Sequence, residues 1–453
     1  MKISFECADK INGLLTMTVE KADYQEAVEK TLKNYRKKAQ VPGFRPGMVP
    51  MGMIKKQYGT AVKVDEVNKL MGEKLYEYVR ENKIQMLGEP LPNQEKQVPQ
   101  DFENADDLTF VFDIAVAPEF KAELTGKDKI DYYKIKADDK LIDDQVQMYA
   151  SQAGEFVKAD VFSGNDTITG DLRELDESGN TKEGGIVTEG AMVMPAYIKA
   201  DDQKKLFDGA KPGDIITFNP KKAYPDNDAE VAALLKTKKD NVKDLASDFS
   251  YQITEIRHFQ PAEVNQALFD RVFGEGTVKD EKAFREKIAE SIAPQLQQNS
   301  DYKFLLDVRA YIEKKVGKLE FPEALLKRVM LQNNKDKGAD YVEKNFEGSI
   351  KELAWHLMKE QIVAANNIKV EDEDLKAVAK EAIRAQFAQY GMSNVPDDVL
   401  ENYADEQLKK RENVDNFVDR AVDLKLTETL KNVVKLNQKE VTLEEFNKLM
   451  QQK

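Results

Sequence analysis

One cysteine, Cys7, two histidines and one tryptophan are all that 453 residues hold of those types. A single thiol forms no internal disulfide, which fits a reducing compartment. His258 and His356 lie far apart in sequence and Cys7 far from both. That argues against a zinc site built from His and Cys and against a Cys–His nucleophilic pair. There is no P-loop and no Gly-x-Gly-x-x-Gly opening a helix, so a nucleotide-driven machine is not expected. No run approaches the ~18 apolar residues of a membrane span. The opening MKISFECADK carries Glu6 and Asp9 and has no apolar core, so no secretory signal is read. The expectation is a cytoplasmic protein with no metal, no cofactor and no catalytic residue. His258 is read as a strand-end residue and His356 as a helix residue packing beside Trp355.

Charge is abundant instead. Charged residues make up 33% of the chain and hydrophobic ones 41%, a charged share above that of ordinary soluble domains. This implies long solvated helices. A chain of this length calls for two to four domains. The net charge of -14 argues against coating nucleic acid along the whole length, since phosphate binding needs a positive field. A local basic patch is still compatible with it.

The pattern along the chain changes three times. Residues 1–20 alternate as strands do, with Leu15, Met17 and Val19 against Thr16 and Thr18. Asp23 then caps a helix with the stripe Tyr24, Ala27, Val28, Thr31, Leu32 and Tyr35, which ends near Val41-Pro42-Gly43. Two helical stretches over 51–82 and an alternating run from Leu108 to Val116 complete an α+β domain at 1–116. A connector, 117–159, holds one amphipathic helix over 139–157. Short strand-like runs at Thr167–Leu175, Ile186–Met194, Asp214–Phe218 and Phe249–Arg257 make a β-rich domain at 160–258. Residues 259–453 read as helical almost throughout, with Pro294 expected to kink or break one helix. Helices of that length suit arms or a bundle. The fold class is thus an α+β multidomain chain.

One segment stands out. Lys30, Lys33, Arg36, Lys37, Lys38, Arg45, Lys55, Lys56 and Lys63 fall in a stretch, 30–64, without one Asp or Glu. So positive a segment in an acidic chain is the footprint of a partner made partly of nucleic acid. Inside it runs Gly43-Phe44-Arg45-Pro46-Gly47-Met48-Val49-Pro50. Glycines allow tight turns, prolines stiffen, and Phe44 beside Arg45 is the anchor chemistry that dominates interfaces.

This loop, with Ile54 and Gln57-Tyr58-Gly59 after it, resembles the trigger-factor signature Gly-Phe-Arg-x-Gly-x-x-Pro with its following helix. The order of parts is similar as well, so the resemblance covers the whole chain, at motif level only in the first domain. It implies an N-terminal ribosome-binding domain, an FKBP-like peptidyl-prolyl isomerase-type domain and an all-helical C-terminal chaperone domain with arms. Gly43, Phe44, Arg45 and Pro46 become the docking tip, helped by Lys37 and Lys38, against protein and RNA of the large ribosomal subunit at the exit tunnel. Pro46 stands where the family often has Lys. The implied function is ATP-independent shielding of nascent or unfolded polypeptides, with no membrane partner and a homodimer off the ribosome.

An FKBP-type site holds a prolyl ring in an apolar pocket and eases rotation over a barrier of ~20 kcal/mol. The family's pocket elements look replaced here by Gly170-Asp171-Leu172, Lys182-Glu183-Gly184-Gly185 and Ile198-Lys199-Ala200-Asp201-Asp202. Weak or absent isomerase activity is therefore expected, with Tyr197, Phe207 and Tyr224 left to form a lesser apolar patch. Clients need scattered, adaptable apolar surface. Met330, Leu331, Tyr341, Phe346, Phe387, Tyr390, Met392 and Tyr403 are the candidates. Two rival functions stand beside this one: an active prolyl isomerase with a chaperone appendage, and a ribosome-independent cytosolic chaperone.

Overall fold

The computed structural model describes residues 1–45, 47–392 and 395–451. In chain order the elements begin β1 Lys2–Glu6, β2 Asn12–Val19, α1 Lys21–Lys38, α2 Met51–Glu81, β3 Leu91–Pro92, β4 Leu108–Ala115, β5 Lys129–Ile135 and α3 Asp139–Gln152. Then come β6 Glu155–Lys158, β7 Thr167–Glu174, β8 Val187–Val193, α4 Asp201–Lys204, β9 Ile215–Phe218, α5 Pro220–Ala223, α6 Asp228–Leu234 and β10 Phe249–Gln260. The helices α7 Gln266–Phe273, α8 Glu281–Val316, α9 Glu323–Asn333, α10 Gly338–Ala365, α11 Asp372–Gln389, α12 Asp397–Leu408 and α13 Arg411–Val433 follow. Strand β11 Lys435–Val441 and helix α14 Leu443–Gln451 close the series. No helix among the described residues is long and apolar enough to cross a membrane.

The chain forms two compact units, each drawn from separate stretches: Met1–Tyr132 with Asp301–Gln438, and Tyr133–Ser300 with Lys439–Lys453. In the first, an antiparallel sheet of order β1-β2-β4-β3 rests one face on α2. Strict alternation along β2 puts Leu15, Met17 and Val19 inward, where Leu15 and Met17 meet Leu75 and Val79 of α2 and Ile114 of β4. Farther along the chain, Leu87, Ala115 and Ala117 share a core with Phe321, Leu325, Leu326, Phe346 and Leu357. Arg328 donates to Asp113 at 2.6 Å and to the Pro92 carbonyl at 3.0 Å beside it. Phe304, Val308 and Ile312 of α8, Trp355 and Ile362 of α10, and Leu426 and Leu430 of α13 make a third core with Ala122, Leu124, Ile130 and Tyr132.

Asp128 is the polar hub of that third core. It accepts from the Thr125 amide at 2.7 Å, Tyr311 at 2.9 Å and Lys315 at 2.8 Å. Burial opposes its charge, but these donors, Lys315 foremost, hold its carboxyl down at about 2. Helices α11 and α12 have a small core of their own, Ala379, Ile383, Leu400 and Ala404, with Phe387 and Phe417 against it.

In the second unit the sheet runs β6-β10-β7-β8, and β9 also pairs with β10. Phe207, Phe218, Phe249 and Tyr251 are fully enclosed with Ile168 and Leu172. Ile142, Val146 and Ala150 of α3 pack with Leu268, Phe269, Phe284 and Ile288.

Several expectations change. The helix read over 139–157 stops at Gln152, and 155–158 become β6, because β10 offers an antiparallel partner from Gln260 to Arg257. The two stretches over 51–82 are one helix, α2; its glycines lower helix propensity without breaking it. Pro294 sits inside α8 rather than ending it. A proline there forfeits a backbone bond, and burial of Ile288 and Leu296 on either side holds the helix. The C-terminal region also contains one strand, β11, paired with β5.

Candidate functional site

Helix α1 starts on a capping box in which Glu20 and Asp23 exchange backbone and side-chain bonds. The cap is therefore Glu20, and Asp23 is its partner three residues on. Its last turn is basic, with Arg36, Lys37 and Lys38, as the negative end of the helix dipole favours. The chain leaves at Ala39, whose N–H still reaches the Tyr35 carbonyl at 2.8 Å.

Two tight turns form the loop to α2. Phe44 N–H donates to Val41 O at 3.0 Å, and Met48 N–H to Arg45 O at 2.9 Å. Gly43 and Gly47 have φ of 90° and 83°, a region costly for any residue with a Cβ. Val49 is fully enclosed in a small core with Leu32, Ala39, Ile54 and Val62. Arg36 Nε donates to the Val49 carbonyl at 2.8 Å. The loop is thus pinned at its return, while its tip stands out: Phe44 is 39% exposed, Met48 68%, and Gly43 and Arg45 are exposed too. Pro46 lies outside the described residues.

The tip has no counter-charge of its own. Lys37 and Lys38 are exposed, and neither they nor Lys30, Lys33, Arg36, Arg45, Lys55 or Lys56 pair with a carboxylate among the described residues. Lys63 is different: it donates to Ala105 O at 2.6 Å and lies over the Tyr24 ring. The structure thus brings Gly43, Phe44, Arg45, Lys37 and Lys38 to one end of a helix–loop–helix.

The client candidates divide. Phe346 is enclosed with Leu325 and Leu326 beneath the Lys327 ammonium, so it is core and offers no surface, against the expectation. Met330 packs on the same core, and Tyr341 is half-buried under Lys337. Leu331 is exposed. Phe387 packs edge-on to Tyr403, ring centroids 5.5 Å apart. Tyr390, Met392 and Tyr403 are open, at 73%, 48% and 47%. They gather at the α11–α12 end, where Gly391 turns the chain at φ 78°.

In the middle region the aromatics point inward. Phe207 and Tyr224 are core, and Phe207, Phe218 and Tyr251 form a ring cluster with centroids 5.4–6.3 Å apart. Only Tyr197 of the expected trio is exposed, so the apolar patch does not form: the rings fill the core instead. Burial lifts the Tyr224 phenol to about 12 and that of Tyr251 higher still. His258 lies near the end of β10, its Nδ1 2.5 Å from the enclosed Asp166 carboxylate. His356 is half-exposed beside Glu360 and does not pack as expected. A three-residue spacing from the buried Leu32 hid Tyr35 within an inner stripe, although the bases at 36–38 mark an exposed edge. An open cleft beside Trp355, lined by Tyr302, Leu306, Arg309 and Lys359, had no local signal at all: its residues come from three distant stretches.

Three family models match in series. "Bacterial trigger factor protein (TF)" covers residues 1–149, "Probable trigger factor, FKBP-like domain" 156–261, and "Probable trigger factor, C-terminal domain" 300–450. A Trigger factor of Chlorobaculum tepidum is 23% identical over 453 residues, 96% of either chain. That of Aliivibrio salmonicida is 23% identical over 408 residues, 85% of this chain and 87% of its own. A solved structure from work on promiscuous substrate recognition by the Trigger Factor chaperone covers 95% of this chain and 100% of its own, at 15% identity and a TM-score of 0.47. With three successive models of one family spanning it from residue 1 to residue 450, the chain belongs to the trigger factor family of ribosome-associated chaperones.

Proposed function

We propose that Gly43, Phe44, Arg45 and Pro46, with Lys37 and Lys38, dock this chaperone at the nascent-chain exit of the large ribosomal subunit. The observation that carries the reading is an aromatic–guanidinium tip on a loop anchored by Val49, amid basic side chains with no carboxylate of their own. A pre-ordered loop loses less entropy on binding than a floppy one, and unpaired bases meet ribosomal phosphate without first breaking internal pairs. The parts we assign are docking at 1–116, a connector at 117–159, an FKBP-like part at 160–258 and a chaperone part at 259–453.

The open aromatic and methionine side chains at Tyr390, Met392 and Tyr403, with Phe387 packed against Tyr403 and with Met330 and Tyr341 elsewhere on the helices, give loose, adaptable contact to unfolded chain. No nucleotide is needed for release when each contact is weak. The protein works in the cytoplasm and pairs with itself when off the ribosome. Isomerase activity is weak or lost, because the aromatic rings that would line a prolyl pocket are spent in the core. A proline-peptide assay should then read close to the uncatalysed rate.

Ribosome co-sedimentation at moderate salt tests the docking directly. The native chain should pellet, and the Phe44→Ala, Arg45→Ala variant should stay in the supernatant. Equal pelleting of both would make the loop structural and leave contact to the basic helix alone. If neither pellets, ribosome docking is wrong.

A further inference from the structure

On the α1–α2 hairpin, behind the loop, a cleft of about 600 Å³ is lined by Thr31, Asn34, Tyr35, Lys38, Gln40 and Tyr58. That volume lies within the range of small-ligand clefts, roughly 300–1,000 Å³. Tyr35 and Tyr58 meet there with ring centroids 5.3 Å apart and planes inclined at 39°. Tyr35 is 44% exposed, so a ring face is open although its partner holds it in place. Tyr58 packs against the small core of Leu32, Val49, Ile54 and Val62 and so is held from beneath, whereas Tyr35 is not part of that core.

The polar lining points to a ligand class. Lys38 brings an ammonium with no carboxylate partner among the described residues. Asn34 and Gln40 are exposed, and their amides have no hydrogen-bond partner in the protein among the described residues. Each amide offers both a donor and an acceptor, which matches the mixed edge of a nucleobase. Glu66 accepts from Thr31 Oγ1 at 2.6 Å, so its carboxylate is engaged. An aromatic platform, unpaired lysine and free amides are the parts with which proteins hold unstacked bases of single-stranded RNA.

We propose that the Tyr35–Tyr58 pair is a stacking site for an unpaired nucleobase, with Lys38 on the adjoining phosphate and Asn34 or Gln40 on the base edge. The inference rests on the docking reading, since ribosomal RNA is the strand such a site would meet. It adds a second point of contact to the Phe44–Arg45 tip. Stacking tolerates any base, so the site would favour single strands over duplex without reading sequence.

The test uses the full chain and a fluorescein-labelled, mixed-sequence single-stranded RNA of about 12 nucleotides, read by anisotropy at two salt concentrations beside the matching duplex. The native protein should bind the single strand more tightly than the duplex. Tyr35→Leu keeps apolar bulk but removes the π-face, and should weaken binding on the order of tenfold; Tyr35→Trp should restore it. No binding by the native chain, no preference over duplex, or an unchanged Tyr35→Leu would each overturn the stacking site and leave the cleft to a protein contact. Ribosome pelleting separates the two readings. If native protein fails to pellet yet loses the oligonucleotide on Tyr35→Leu, docking fails and the stacking site stands. If native protein pellets, the Phe44→Ala, Arg45→Ala variant does not, and Tyr35→Leu changes neither assay, only the stacking site falls.

Discussion

Two helix–loop–helix ends in this molecule show open aromatic and methionine side chains, and their charges are arranged in opposite ways. At the α1–α2 end the bases have no carboxylate partners among the described residues. At the α11–α12 end they are taken: Lys380 meets Asp397 at 2.8 Å and Glu401 at 3.2 Å, and Arg384 pairs with Glu381 and Asp397. Exposed ion pairs add little stability, but they cancel the local field. The first end thus seeks opposite charge and a fixed geometry. The second presents neutralised polar rims around Tyr390, Met392 and Tyr403, suited to chains of any sequence. In the function proposed above, similar apolar exposure serves a single partner in one place and many in the other, and the difference lies in charge pairing and loop anchoring.

The sharpest way to break this comparison is to unpin the docking loop. Val49→Asp places a carboxylate in a dry core, at a cost of about 3–4 kcal/mol, seen as a lower urea midpoint. Ribosome pelleting should be lost with Phe44 and Arg45 still present. Retained pelleting would show that loop rigidity is irrelevant. At the other end, Leu400→Ala, at a site 1% exposed, should cost about 2–4 kcal/mol. It should impair suppression of client aggregation and leave ribosome pelleting intact. Loss of both activities would mean that the ends are not independent.

Acid probes the core around Asp128, apart from either end. The Asp128 carboxyl is depressed in the folded state to about 2, so its contribution is complete above the ordinary carboxylate value. That contribution is lost as pH falls from about 4 towards 2, and amounts to about 2 kcal/mol. Asp128→Asn should remove that part of the slope in stability-versus-pH curves. The smallest effect is expected for Tyr390→Ser, at a side chain 73% exposed. Stability should move by less than about 0.5 kcal/mol, with a slight fall in aggregation suppression. A large change in midpoint would show that Tyr390 packs, and the contrast between the ends would weaken.

The local grammar of the chain was readable. Alternation around Leu15, Met17 and Val19, the turn clusters between β7 and β10, and the Gly-Phe-Arg loop each report on neighbours within a few residues. What escaped depends on distant partners. Residues 155–158 become a strand only because Gln260–Arg257 lie beside them. Phe346 is core only because Leu325, Leu326 and the 87–117 stretch close over it. Pro294 reads as a breaker until Ile288 and Leu296 are seen to be held. Among the site residues, Phe44 and Arg45 were legible through a motif. Tyr35 was not, since period alone cannot tell an inner position from an edge.

The first unit joins the beginning of the chain to a stretch made much later. The Ala122 amide donates to Gln361, 239 residues on, and Leu87, Ala115 and Ala117 wait for Phe321, Leu325 and Leu357. At roughly 5–20 residues per second, synthesis leaves that interval open for about 10–50 s. During it the N-terminal sheet can close over its own helix, but the apolar edge at Leu87 and Ala115 has nothing to cover it. A newly begun copy of this chaperone thus exposes, for that time, the same kind of apolar surface that a chaperone is built to shield.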